Sequence, residues 1–333
     1  MARFLTNRNF LATHGERYRA LCAHGGYDAE PITLPDDPTV RLDPAELTEI
    51  EIACCTDDFE ADPSFTRRFL GSALRAPNLR WLQLPNAGID HPVFGQLLAQ
   101  GVTLTTASGV TAEPIAQTAI GGLLALARGF PRWEEARRRH QWLPHPSGQL
   151  PRDLRGQTMV IVGVGAIGNQ IGRLAQALGL HVIGVRHRAR TLADHVDEMH
   201  PPSALAALLP RADWLVLACP LTDRTRGLVG AAALALLPVG AYLINVARGQ
   251  IIDEAALVAA LQSGRLSGAY LDVFAVEPLP EDSPLWELPQ VIISPHDSAA
   301  ASGNAARIAE LFLRNLRHWL QHEPLENAVA APG

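Results

Sequence analysis

The sequence predicts an α/β protein of two units, in which a doubly wound parallel sheet of six strands is inserted into a smaller α/β unit. Three observations carry this. From residue 158 onward, near-continuous apolar runs alternate with helical patterns, as parallel strands buried on both faces require. A glycine-rich loop, Gly163-Val164-Gly165-Ala166-Ile167-Gly168, stands between the first of those runs and a helical stretch. The last helix follows the sixth run and carries a clean apolar stripe, so it is free to close the first unit rather than the second.

Taken in order, the first hundred residues alternate short apolar runs with helical stretches: ARFLT, IEIACC (50–55), LRWLQL (79–84) and VTLTT (102–106). A long helix is expected from about Ala112 to Arg139, with Pro114 tolerated in its first turn. The six strands of the sheet are TMVIV (158–162), HVIGV (181–185), WLVLA (214–218), AYLIN (241–245), GAYLDVF (268–274) and VIIS (291–294). Helical patterns such as 167–178 and 253–262 separate several of them. The final stripe is Ile308, Leu311, Phe312, Leu316, Trp319 and Leu320. The first unit is therefore expected over 1–108 plus 300–333, and the second over 109–299.

Composition narrows the class. At 333 residues the chain has the length of about two domains, and 47% hydrophobic with 19% charged residues suits a well-cored globular protein. A formal net charge of -6 argues against a general nucleic-acid binder and leaves room for a local basic pocket. MARFLTNRNF lacks a secretory apolar segment, and Ala119–Ala127, the most apolar helical stretch, is too short to span a bilayer. Cys22, Cys54, Cys55 and Cys219 have neither metal nor disulfide spacing, so reduced thiols and a cytoplasmic location are expected, with no metal.

The glycine loop lies in the context that gives its pattern meaning. Gly163 permits the tight turn, Gly165 lets backbone approach a pyrophosphate, and Gly168 lets helix pack on strand. The helix N-terminus then faces the phosphates with its partial positive charge. A turn serving packing alone would not need this placement at the start of a parallel series. In such a site the end of the second strand normally bears an acid for the ribose hydroxyls. Here HVIGV ends instead in Arg186, His187, Arg188 and Arg190. Arginine attracts a 2′-phosphate and bonds it bidentately, so NADP is expected over NAD, with Arg186 as main contact and His187 or Arg188 assisting. The competing reading is a strand end whose charges merely reach water.

Three further signals fall at the ends of the later strands, where ligands of open α/β sheets bind. Asn245-Val246-Ala247-Arg248-Gly249 follows the fourth, Asp272-Val273-Phe274 with Glu277-Pro278 the fifth, and Ser294-Pro295-His296 the sixth. Singly, each is a loop charge, a turn residue or a loop histidine. Jointly they match the needs of a nicotinamide enzyme reducing a 2-keto acid. Arginine holds the carboxylate with a planar fork, histidine gives a proton near neutrality, and glutamate orients the imidazole.

With GVGAIG, NVARG, LDVFAVEP and SPH in that order, and PNAGIDH (85–91) in the first unit, the chain resembles the D-isomer-specific 2-hydroxyacid dehydrogenases over essentially its whole length. The resemblance implies two Rossmann-like or flavodoxin-like domains. It implies Arg248 as the residue that binds and polarises substrate, His296 as acid/base and Glu277 as its partner. It places Asp272 near the nicotinamide carboxamide, Cys219, Pro220 and Thr225 near the cofactor with Val246 and Ala247, and the backbone of Asn86, Ala87, Gly88 and Ile89 on the substrate carboxylate. It further implies a homodimer built through the cofactor unit, a cleft that closes on binding, and substrates such as glyoxylate or hydroxypyruvate. Two departures stand out. Arg186 replaces the acid of many NAD-dependent relatives, and Asp297-Ser298-Ala299-Ala300 follows the histidine where many relatives soon have a glycine. A non-catalytic dinucleotide sensor or corepressor-like protein is the alternative on the same fold, and the intact Arg248, Glu277 and His296 set argues against it.

Overall fold

Four or five consecutive apolar positions leave a strand no polar face to turn to water, so such strands form only between two covering layers. The computed structural model describes residues 2–56, 62–89, 91–148 and 150–329. The chain divides into two units, residues 1–111 with 301–333, and residues 112–300.

In the first unit β1 (Ala2–Thr6), β2 (Ala29–Thr33), β3 (Ile50–Cys54), β4 (Trp81–Gln83) and β5 (Thr103–Thr105) form a parallel sheet in the order β2-β1-β3-β4-β5. The sequence reading missed β2. Its AEPIT holds Pro31, which cannot donate to a ladder, and an edge position accommodates that. The stripe of the last helix (Asn304–Leu320) packs here: Phe312 stacks on Phe4 and Trp81, with centroids 5.0 and 5.1 Å apart. Buried Asn315 donates to Gln83 Oε1 (3.2 Å) and to the Glu326 carbonyl (3.1 Å), and accepts from the Glu326 N–H (2.7 Å).

In the second unit β6 (Thr158–Val162), β7 (His181–Val185), β8 (Glu198–His200), β9 (Trp214–Leu217), β10 (Ala241–Asn245), β11 (Leu266–Leu271) and β12 (Val291–Ile293) form one parallel sheet. The order is β12-β11-β10-β9-β6-β7-β8, doubly wound, with its reversal between β6 and β9. The sheet has seven strands, not the six expected. The seventh, β8, is a three-residue edge strand whose Glu-Met-His reads as loop. Its Glu198 is occupied by Arg211 Nη2 (2.5 Å), His200 Nε2 (2.9 Å) and His181 Nε2 (2.8 Å), which hold its carboxyl far below the usual carboxylate range.

The single helix expected to Arg139 is two helices, Ala112–Arg128 and Phe130–Arg138. The break is Gly129 at φ 75°, a conformation a side chain would resist, and Pro131 beyond it has no N–H to continue the earlier helix. Among the described residues no helix is long and apolar enough to cross a membrane, and no cluster of three or more His, Cys, Asp or Glu could hold a metal ion.

Candidate active site

The glycine loop joins β6 to the helix Ala166–Ala177 at the point where the strand order reverses. Gly163 has φ 97°, and a Cβ there would lie 2.5 Å from the Cys219 nitrogen, so the turn packs against the end of β9 with no room for a side chain. A Cβ on Gly168 would meet the Gly163 carbonyl at 2.1 Å. Gly165 differs: its Cβ would meet nothing within 4 Å. The protein's own packing therefore demands glycine at 163 and 168 but not at 165. Gly165 and Ala166 are exposed at the start of a twelve-residue helix that has no side-chain cap, and Ile167 is half-buried. Open space before uncapped N–H groups is what a pyrophosphate needs, and the loop fits a dinucleotide on this ground. Beside it, Thr225 Oγ1 donates to the Pro220 carbonyl (2.8 Å) and closes the 220–225 turn. Burial pushes the Cys219 thiol up to about 11, so it stays neutral and inert near pH 7.

At the end of β7 the basic cluster divides into two kinds of residue. Arg186 is mostly buried, and every one of its N–H donors has an acceptor. Nε donates to the Arg188 carbonyl (3.1 Å), Nη1 to the Val164 carbonyl (3.0 Å) and Asp194 Oδ1 (2.7 Å), and Nη2 to the Ala189 carbonyl (2.6 Å) and Asp194 Oδ2 (2.5 Å). Burial works to raise the Asp194 carboxyl, but Arg186 and the N–H and hydroxyl of Thr191 outweigh it and hold it below the usual range. His187 and Arg188, by contrast, are exposed. Asp194 was not singled out in the sequence, where an acid in the loop between β7 and β8 carries no signal.

Because β10, β11 and β12 are consecutive neighbours, the loops at their ends are neighbours too. Buried Asn245 shapes the first by accepting from the Ala247 N–H (3.1 Å) and donating to the Arg248 carbonyl (3.1 Å). Gly249 then lies so close to the next loop that a Cβ would fall 1.8 Å from the Phe274 carbonyl carbon. Glu277 is held by its own turn, Oε1 accepting from the Phe274 N–H (2.9 Å), and its Oε2 lies 2.8 Å from His296 Nδ1. The imidazole is about one-third exposed, and Nε2 is left as its second nitrogen. Asp272 follows β11 directly, is buried, and turns its carboxylate to the 294–298 loop. Tyr270 OH and Ser294 Oγ are 2.7 Å apart. Burial pushes the Tyr270 phenol up to about 12, so it remains a donor.

A nucleotide-binding turn and an imidazole–carboxylate pair at the carboxyl ends of one doubly wound sheet narrow the chemistry to dinucleotide-linked proton and hydride transfer. Residues 120–298 match the family described as D-isomer specific 2-hydroxyacid dehydrogenase, NAD binding domain. The chain belongs to this family. It is 34% identical over 263 residues to a glyoxylate reductase of Aeropyrum pernix, covering 77% of each chain. Among solved structures it is similar to a D-isomer specific 2-hydroxyacid dehydrogenase family protein of Aeromonas salmonicida (29% identity, TM-score 0.79, 99% of each chain). It is also similar to one from Xanthobacter autotrophicus solved in complex with NADPH and MES (29% identity, TM-score 0.73, 99% of this chain and 98% of that one).

Other residues expected of a 2-hydroxyacid dehydrogenase are placed as follows. Val246 and Ala247 are buried beneath Arg248, which is half-buried and whose Nη1 donates to the Ala247 carbonyl (2.7 Å). In the first unit, Asn86, Ala87, Gly88 and Ile89 form the loop beyond β4, largely exposed, with the Asn86 carbonyl fixed by the Ala107 N–H (2.9 Å). Residue 90 of the same motif lies outside the described residues.

Proposed function

We propose that this dehydrogenase is a reductase of small 2-keto acids, such as glyoxylate or hydroxypyruvate, that gives the D-2-hydroxy acid with NADPH as reductant. The observation that carries the reading is the His296 Nδ1–Glu277 Oε2 pair at 2.8 Å, one strand end away from Arg248. When bound, the dihydronicotinamide supplies the hydride to the keto carbon. Arg248 grips the keto acid through its fork and polarises the carbonyl. His296, its Nδ1 engaged by Glu277, holds a proton at Nε2 for the carbonyl oxygen as that oxygen gains charge. Glu277 keeps the ring oriented through the bond to Nδ1. Gly163–Gly168, with Cys219, Pro220, Thr225, Val246 and Ala247, takes the dinucleotide. A purely sensing role gains nothing from an imidazole–carboxylate pair.

For the 2′-phosphate the reading changes which arginine matters. Arg186 is saturated by Asp194 and three carbonyls, so we assign the phosphate to exposed Arg188 with His187, on a loop that Arg186 holds in shape. NADPH in the relative from Xanthobacter autotrophicus supports the choice of cofactor. Phe130, Trp133, Trp142, Leu143 and Leu150 are exposed apolar side chains within 130–150, which supports a homodimer formed through the second unit. Four free cysteines support a reducing, cytoplasmic setting.

The test is nicotinamide absorbance with a panel of keto acids and both cofactors. Turnover of glyoxylate or hydroxypyruvate is the expected result, and cofactor binding with no turnover of any keto acid would overturn the reading. Arg248→Lys keeps the charge and loses the fork, so KM should rise and kcat fall together. A change confined to one of them would argue against the double role.

A further inference from the structure

The departure that follows the histidine, Asp297-Ser298-Ala299-Ala300, has a structural counterpart. Ser298 is 3% exposed and Asp272 is 2% exposed. Asp272 Oδ1 accepts from Ser294 Oγ (2.6 Å) and from the N–H groups of Asp297 and Ser298 (both 3.0 Å). Asp272 Oδ2 takes the Ser298 hydroxyl in a short hydrogen bond. The Ser294 proton is committed to Asp272, so the Tyr270 hydroxyl must be the donor in its 2.7 Å contact with Ser294 Oγ. Two further ties reach the backbone: the His296 N–H donates to the Asp272 carbonyl (2.8 Å), and the Thr118 hydroxyl shares its one proton between the Pro114 (3.0 Å) and Ser298 (3.1 Å) carbonyls.

His296 therefore sits inside a five-residue loop whose two ends, Ser294 and Ser298, are bonded to opposite oxygens of one buried carboxylate. Its own backbone is at φ 55°, the left-handed region. A residue with a side chain adopts that conformation uncommonly, and surrounding bonds help to hold it there. Here Asp272 supplies such bonds, and the Ser298 hydroxyl adds one on the far side of His296.

We infer that Ser298 is a positioning residue for the reduction, acting through Asp272 to hold the His296 backbone, and hence the Nε2 proton, in place. The inference rests on the reading of His296 as the proton donor. Without the hydroxyl, Asp272 Oδ2 loses a charge-assisted bond in a site sheltered from bulk water. The far end of the loop then keeps only the Asp297 and Ser298 N–H bonds to Oδ1 and the Thr118 contact, and the carboxylate, released at Oδ2, can turn and shift the imidazole. Asp272 on this view serves the loop, and its Oδ2 can still accept a further donor.

The experiment is a double-mutant cycle with glyoxylate and NADPH, comparing wild type, Ser298→Ala, His296→Gln and the double variant. Cofactor Kd and Tm are measured alongside kcat. Ser298→Ala should lower kcat by about tenfold, the order expected when a proton donor is displaced by a fraction of an ångström, and leave cofactor Kd within about twofold. In the His296→Gln background the same change should cost less than about twofold, because there is no donor left to misplace. Equal losses in both backgrounds would make Ser298 a stability residue and overturn the inference, as would unchanged turnover in Ser298→Ala. Near-normal turnover in His296→Gln alone would instead overturn the proton-donor reading and the inference with it. If Ser298→Ala does not fold, Ser298→Cys, which keeps the shape with a much weaker donor, goes through the same cycle.

Discussion

Replacing His296 with glutamine should lower kcat by at least about a hundredfold while cofactor binding persists, since removal of a positioned general acid typically costs 10²–10⁴ in rate. The expectation follows from where the imidazole's two nitrogens stand. Nδ1 is taken by Glu277 at 2.8 Å, and Glu277 is pinned through its other oxygen by the Phe274 N–H, so the ring presents Nε2. Glutamine has comparable reach but no titrating nitrogen. The glycine loop and its helix are unchanged in the variant, which is why the dinucleotide should still bind. Glu277→Gln should reproduce part of the loss, because an amide can accept one hydrogen bond yet offers no charge to an imidazolium. Pre-steady-state absorbance on both variants checks this, and a His296→Gln enzyme that turns over normally across pH would remove the histidine from the mechanism.

The second large effect concerns the basic cluster, where the two arginines should behave differently. Arg188→Ala removes an exposed cation and nothing the fold depends on. If it bonds the 2′-phosphate, the ratio of kcat/KM for NADPH over NADH should fall by about tenfold, since a charge-assisted bond contributes roughly 1.5–3 kcal/mol and 1.4 kcal/mol is a factor of ten. Raising salt should erode the same ratio in the wild type, because an exposed site is screened. Arg186→Ala should be worse and less selective. It leaves Asp194, 7% exposed, without its bidentate partner, and breaking a buried pair costs on the order of 3–5 kcal/mol. The 186–194 loop should loosen, Tm should drop, and both cofactors should lose affinity. Asp194→Asn would show the same loosening in milder form. A variant Arg186→Ala that loses NADPH alone, with Arg188→Ala silent, would mean that Arg186 leaves Asp194 to bind the phosphate.

The strands of the second unit were legible because their information is local: a run such as TMVIV or WLVLA reports its own burial without reference to any partner. So was the glycine loop, whose three small residues answer to a turn, a helix start and a close contact within six positions. The placement of Arg248, Glu277 and His296 at three successive strand ends was legible, because the ends of neighbouring parallel strands lie side by side whatever the loops between them do. Edge strands were not. AEPIT carries a proline and Glu198–His200 carries charge, and each is a strand only because a neighbour supplies one side of its ladder. The length of the helix from Ala112 was misjudged for the opposite reason, since its periodicity continues across Gly129 while the backbone does not.

What the sequence determined by itself is thus the fold class, the dinucleotide turn and the three residue types at neighbouring strand ends. Tertiary structure decided how the charges are spent: that Arg186 is consumed by Asp194 while Arg188 stays open, and that Asp272 holds the His296 loop through Ser294 and Ser298. The physical reason is range. Burial and turn chemistry are written in adjacent residues, but the partner of an arginine or a buried carboxylate is whichever group the folded loops bring within about 3 Å, and neither composition nor spacing encodes that distance.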